Sequence, residues 1–229
     1  MDFPPSLTMP FPNLKICGIT DATTARLCAD AGAGALGAVF FKKSPRYVTP
    51  QQARSIFSGL PSRVARVGVF VDLPAAEVAA IAREAELDTV QLHGDEPPGT
   101  LLALQDLGYR VIRVLKASGK KLLETAHGIP LSAGIMVECG LGTLPGGNGA
   151  AWEWAGAAPL AEVRPFALAG GLTPRNIADA LRLSKASACD VSSGVETAPG
   201  IKNPAAVQDL TAALTTGRFP PAPIDFWKN

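Results

Sequence analysis

The chain has 229 residues, 47% of them apolar and 18% charged, with 21 Lys plus Arg against 20 Asp plus Glu. This suits one large α/β domain, since single barrels run to about 200–250 residues, and a chain of this size buries roughly 70% of its unfolded surface without a disulfide or metal staple. A net charge of +1 with no basic stripe argues against a nucleic-acid partner, and no apolar run reaches the ~20 residues that span a bilayer.

The first strand expected is Leu14–Cys17, and Thr20 or Asp21 caps the helix after it, which runs to about Ala31. Ala35–Phe40 is a second strand. Thr49-Pro50 then opens a helix, with Thr49 as cap and Pro50 at the first helical position, where its missing N–H costs nothing. Val64–Val71 is β-branched and reads as strand, Pro74–Ala85 as an alanine-rich helix. Thr89–Leu92 and Arg110–Leu115 are strands, with a helix over Glu96–Leu107 between them. After Leu115 only a weak helical stretch, Lys120–Ala126, is expected. Gly134–Val137 is a strand, followed by a glycine-rich loop and a helix from about Trp152. Phe166–Ala169 precedes a helix opened by Thr173-Pro174 and ending near Leu183. Ala188–Val191 is the eighth strand and Pro204–Leu214 the last helix.

Eight strands, each followed by a helix or its remnant, predict parallel pairing through crossover helices. Eight right-handed units close most simply into a (β/α)₈ TIM barrel over residues 13–217. An open doubly wound sheet is the alternative, but Cys17-Gly18-Ile19-Thr20 after the first strand is not the glycine fingerprint such a sheet would carry. Residues 1–12 and 218–229 read as tails. The first is proline-rich and lacks the pattern of a signal peptide, and Pro220, Pro221 and Pro223 break structure in the second. The cysteines at 17, 28, 139 and 189 form no CxxC pair and no metal-ligand spacing, so no metal site is expected and the thiols are read as reduced, in a cytoplasmic protein.

Cys17, Phe41, Asp72, His93, Lys116, Glu138, Gly170-Gly171 and Asp190 fall at C-terminal strand ends. In a barrel these ends share the face where active sites are built. Two glycine-containing turns follow the seventh and eighth strands, Ala169-Gly170-Gly171-Leu172-Thr173-Pro174 and Asp190-Val191-Ser192-Ser193-Gly194-Val195-Glu196. Glycines let backbone N–H groups approach an anion, and the loops after strands 7 and 8 are where barrels commonly bind phosphate. Gly170, Gly171, Ser192, Ser193 and Gly194 are therefore the candidate phosphate cradle, and a phosphorylated small molecule the expected partner. By residue type alone, Cys17 is a small buried hydrophobe, Arg46 a surface charge, and His93 and Asp190 either site or packing residues. His127, Cys28, Trp152 and Trp154 are assigned to surface or packing.

Read together, these stretches resemble the phosphoribosylanthranilate isomerase family of tryptophan biosynthesis. The matching segments also include Lys15-Ile16-Cys17-Gly18-Ile19-Thr20, Ser44-Pro45-Arg46-Tyr47-Val48, Arg66-Val67-Gly68-Val69-Phe70-Val71 and Val90-Gln91-Leu92-His93-Gly94, in the family's order. The resemblance implies a barrel with a weak or missing fifth helix. It also implies a cofactor-free Amadori rearrangement, an intramolecular aldose–ketose oxidoreduction that turns N-(5-phosphoribosyl)anthranilate into the aminodeoxyribulose phosphate. It makes Cys17 the general base, a task a thiol of pKa about 8.5 performs where the site lowers that value modestly. It points Arg46 at the anthranilate carboxylate; His93 and Asp190 stand beside it as candidate substrate-binding residues on the strength of their strand-end positions. The family's acid is an aspartate at the end of the sixth strand, where this chain has Glu138. The family's loop lysine is absent too, with Ala150 standing in Gly146-Gly147-Asn148-Gly149-Ala150-Ala151. Those departures keep two alternatives open: a non-catalytic phosphosugar-binding relative, and a barrel isomerase or lyase for another phosphorylated substrate. Monomer and homodimer are both left open.

Overall fold

The computed structural model describes residues 13–117, 121–139, 153–217, 219 and 226–228. Its strands are β1 (Asn13–Cys17), β2 (Ala35–Val39), β3 (Ala65–Phe70), β4 (Thr89–Leu92), β5 (Arg110–Ala117), β6 (Gly134–Cys139), β7 (Ala167–Leu168) and β8 (Ala188–Val191). They pair in parallel, each with the next, and β8 pairs with β1 to close the barrel. The helices are α1 (Ala22–Asp30), α2 (Pro50–Phe57), α3 (Ala75–Glu84), α4 (Pro98–Asp106), α5 (Lys121–His127), α6 (Ala158–Ala161), α7 (Ile177–Ser184) and α8 (Pro204–Thr216). A short hairpin, β9 (Glu196–Ala198) with β10 (Ile201–Lys202), sits between β8 and α8.

Local chemistry explains the sharpest boundaries. Asp21 caps α1, its carboxylate accepting from Thr24 N at 2.8 Å. Thr49 and Gln52 form a capping box at α2, with Pro50 in the first turn. The fifth helix is short, as expected: α5 spans seven residues. The sixth unit is thinner still, a 3₁₀ turn (Trp154–Ala157) running into a single α-turn at α6. Pro159, at the start of α6, suits a helix start but makes no backbone donor.

Strand alternation divides the core into two layers. Outward residues such as Ile16, Leu36, Phe70, Leu92, Leu115, Val137 and Val191 meet the helices. Inward residues are mostly smaller: Ala35, Ala65, Val67, Val114, Ala167 and Ala188, with Ile112 and Met136 the larger members from β5 and β6. The alanines at the starts of β2, β3, β7 and β8 leave the N-terminal end of the barrel open. Phe226 and Trp227 fill it, both buried with that inner layer. Thr89 Oγ1 donates to the Trp227 carbonyl at 3.2 Å and Arg110 Nη2 to the Phe226 carbonyl at 2.6 Å. So the 218–229 stretch is not merely a tail: it returns its aromatic pair to the barrel floor, because small inward residues leave that volume free. No helix among the described residues is long and apolar enough to cross a membrane.

Candidate active site

Lys15 and Cys17 stand two residues apart on β1, so both point inward. Their neighbour on β2 is Gly37, paired with Cys17 in the register. A Cβ on Gly37 would lie 2.9 Å from Cys17 Sγ and 3.1 Å from Lys15 Nζ. The glycine therefore clears the space that the two side chains occupy together. Lys15 is fully buried, and its Nζ donates to Asp190 Oδ1 at 3.0 Å. The β1–β8 register sets those two residues opposite each other.

These surroundings fix the charges. Burial pushes the Lys15 ammonium down, but Asp190 and then Cys17 outweigh it, and Lys15 titrates above its ordinary value. Burial pushes the Cys17 thiol up; Lys15 and Lys202 oppose that and Asp190 adds to it, leaving the thiol above its ordinary 9.0. The free site thus raises the thiol rather than lowering it. A strand-end cysteine inside the barrel is withdrawn from water, and Asp190 cancels part of the help that Lys15 gives.

Across the barrel, Glu138 on β6 is buried, with Oε1 2.8 Å from His93 Nε2. Gln91 Nε2 lies 3.1 Å from His93 Nδ1, so β4 delivers an inward pair that aims the imidazole at the carboxylate. His93 both lines the cavity and anchors Glu138. Gln91 escapes a search for reactive residues; period-two alternation with His93 is the one sequence signal for it.

The two glycine turns meet at the rim. Gly170 and Gly171 have φ of 89° and 67°, a region open mainly to glycine. Asn176 braces the first turn, accepting from Thr173 N at 2.8 Å and donating to the Gly171 carbonyl at 2.9 Å. Ser192 Oγ donates to the Cys17 carbonyl at 3.0 Å, tying the second turn to β1. Among the described residues, the amides of Gly170, Gly171, Ser193 and Gly194 donate to no backbone carbonyl. A Cβ on Gly194 would lie 1.8 Å from the Leu172 carbonyl oxygen, so the turns touch. Gly194→Ala must push them apart. Overpacking of this kind costs about 1–3 kcal/mol, and the expected result is a rise of roughly tenfold or more in KM and in the inhibition constant of inorganic phosphate. An unchanged phosphate inhibition constant would refute the shared cradle.

Arg46 reaches the same cavity from the loop after β2, but it is not free. Its Nε and Nη2 donate to Glu196 at 2.9 and 2.5 Å, and Lys202 Nζ bonds the same carboxylate at 2.7 Å. The hydrogen bond to Glu196 and its charge hold the Arg46 guanidinium above its ordinary pKa, against burial. Nη1 has no protein partner among the described residues. Asp190 differs from expectation similarly: it lines the cavity, yet one oxygen is committed to Lys15. Lys15, Glu196 and Lys202 are thus site residues that sequence reasoning passed over.

Cys17, Phe41, Arg46, His93, Glu138, Asp190 and both glycine turns surround one cavity. Asp72 and Lys116 do not join them. The Asp72 carboxylate accepts from Asp95 N at 2.7 Å, and Lys116 is exposed. Glu96 pins the same corner by accepting from Asp72 N and Gly94 N. Cys28 is buried in the helix-facing layer, His127 is exposed and Trp154 packs against that layer. Trp152 and the Gly146–Ala151 loop lie outside the described residues. Among the described residues, no three His, Cys, Asp or Glu side chains converge as a metal-holding set.

Fold and site together define a (β/α)₈-barrel enzyme with a thiol, a carboxylate and an imidazole around one cavity at the C-terminal strand ends. The family model for N-(5'-phosphoribosyl)anthranilate (PRA) isomerase matches residues 14–213. The chain belongs to that family. It is 38% identical over 208 residues to N-(5'-phosphoribosyl)anthranilate isomerase of Paracoccus denitrificans, covering 89% of this chain and 97% of that one. The crystal structure of the Thermus thermophilus enzyme superimposes with a TM-score of 0.81 at 38% identity, over 88% of this chain and 98% of that one. A phosphoribosyl anthranilate isomerase solved with reduced 1-(o-carboxyphenylamino)-1-deoxyribulose 5-phosphate gives a TM-score of 0.79 at 32% identity, over 89% and 98% of the two chains.

Proposed function

We propose that the protein isomerises N-(5-phosphoribosyl)anthranilate to 1-(2-carboxyphenylamino)-1-deoxyribulose 5-phosphate, the aldose–ketose step of tryptophan biosynthesis. The observation that carries this reading is that Cys17 and Glu138 face one cavity whose rim is the pair of touching glycine turns. The unpaired amides of Gly170, Gly171, Ser193 and Gly194, with Ser192, hold the phosphate, and the open Nη1 of Arg46 takes the anthranilate carboxylate. A ligand held at both ends is oriented as acid–base chemistry requires.

Protonated Glu138 gives its proton to the ribose ring oxygen. The C1–O bond breaks, and the nitrogen lone pair forms an iminium at C1. The Cys17 thiolate then takes the proton from C2, giving an enolamine. The Cys17 thiol then returns its proton to C1 while the C2 enol hydroxyl gives its proton back to the Glu138 carboxylate, which leaves the ketone at C2 and restores both the thiolate and the acid. The sum is an isomerisation, with no external oxidant or reductant. His93 holds Glu138 in place, and Asp190 positions both Lys15 and the substrate hydroxyls. The assignment is tested by expressing the chain in a bacterium that lacks its own isomerase. Growth without tryptophan is expected, and failure of growth with well-expressed, folded protein counts against it.

A further inference from the structure

We propose that Lys15 is a positioning residue for the base: held from the side by Asp190, its ammonium is the counter-charge that lets Cys17 ionise where burial of the thiol opposes it. The inference rests on the reading of Cys17 as base.

A lysine is almost never fully buried unless paired, and a buried pair is weak evidence for stability, because desolvating both charges offsets their attraction. Lys15 is such a group: fully buried, with Asp190 Oδ1 at 3.0 Å. Its floor is apolar, with the Trp227 ring centroid 6.0 Å from Nζ and Ala35 and Ala188 beside it. An ammonium has three donors, and one goes to Asp190. Nζ and Cys17 Sγ both lie about one contact distance from the same point above Gly37, at 3.1 and 2.9 Å. Gly37 is thus the residue whose missing side chain lets the ammonium and the sulfur share a space.

The other charges near Cys17 are already engaged. Lys202 donates to Glu196 at 2.7 Å and to the Ser192 carbonyl at 3.2 Å. Arg46 is bound by both its Nε and Nη2 to Glu196. Asp190 is negative and opposes ionisation of the thiol. Lys15 is therefore the cation best placed to offset burial, and the direction of its effect on Cys17 agrees.

The test is the rate at which iodoacetamide alkylates Cys17 as a function of pH, with Cys17→Ala as background. Lys15→Met should slow alkylation at neutral pH by about tenfold, equivalent to one pKa unit, and lower kcat with little change in KM. Asp190→Asn should do the opposite to the thiol and speed alkylation. A purely structural pair predicts the same sign for both variants, since loosening the barrel exposes the thiol in each. Equal or faster alkylation in Lys15→Met, or slower alkylation in Asp190→Asn, overturns the proposal. Should Lys15→Met fail to fold, the comparison is made on the Asp190→Asn background: Lys15→Met/Asp190→Asn, which removes both charges, should alkylate more slowly than Asp190→Asn, and an equal or faster rate overturns the proposal. Alkylation does not depend on turnover. An active Cys17→Ala would sink the base assignment, whereas an unmoved alkylation profile would sink the role of Lys15.

Discussion

Cys17→Ala should lower turnover by about 10²–10⁴-fold, the usual worth of a positioned general base, while product affinity and thermal stability stay near those of the parent. The sulfur lines the cavity at the end of β1. The hydrogen bond holding the second glycine turn to β1 is accepted by the Cys17 carbonyl, which alanine retains. Loss of one small side chain should cost about 1 kcal/mol of stability. Single-turnover kinetics, product titration and a melting curve separate chemistry from binding and folding. Near-normal turnover in the alanine variant would place the base elsewhere.

Glu138→Gln should be nearly as inactive, because an amide matches the carboxyl in size but cannot supply an acidic proton; about 10²–10⁴-fold is again the expected loss. Glu138→Asp should be no better than the parent. Withdrawing the carboxyl by one carbon–carbon bond, about 1.5 Å, would break the contact that Oε1 makes with His93 Nε2 at 2.8 Å. The longer acid is thus fitted to its imidazole partner, and the site is built around glutamate. If Glu138→Gln keeps its activity, His93 becomes the next candidate, since one Asp190 oxygen is already bound to Lys15. If Glu138→Asp gains about tenfold, worth ~1.4 kcal/mol of barrier, the glutamate is a misfit.

Strands and caps were readable because their signals are local. Thr49-Pro50 marks a helix start, and the structure caps α2 at Thr49, with Gln52 three residues on completing a capping box. Strand ends likewise pointed to Cys17, Glu138 and His93. Lys15 was not readable, because a lysine near a strand end ordinarily faces solvent. Its burial depends on the register with Asp190, 175 residues away, and on the gap at Gly37. Glu196 was hidden similarly: its partner Arg46 lies 150 residues back along the chain. Trp227 follows three prolines that locally mark a tail, and only the alanines lining the barrel floor give it a place. The thinness of the sixth unit was not readable: a helix from about Trp152 was expected, and the structure has a 3₁₀ turn over Trp154–Ala157 running into the single turn of α6.

The most direct measurement is the conversion of N-(5-phosphoribosyl)anthranilate by the purified chain, with the product identified by carbon NMR. The account predicts loss of the anomeric C1 signal, appearance of a C2 ketone, and turnover in the usual enzyme range of about 1–10³ s⁻¹. Tight binding of the substrate with conversion no faster than in buffer would contradict it and mark the chain as a phosphosugar-binding relative of its family.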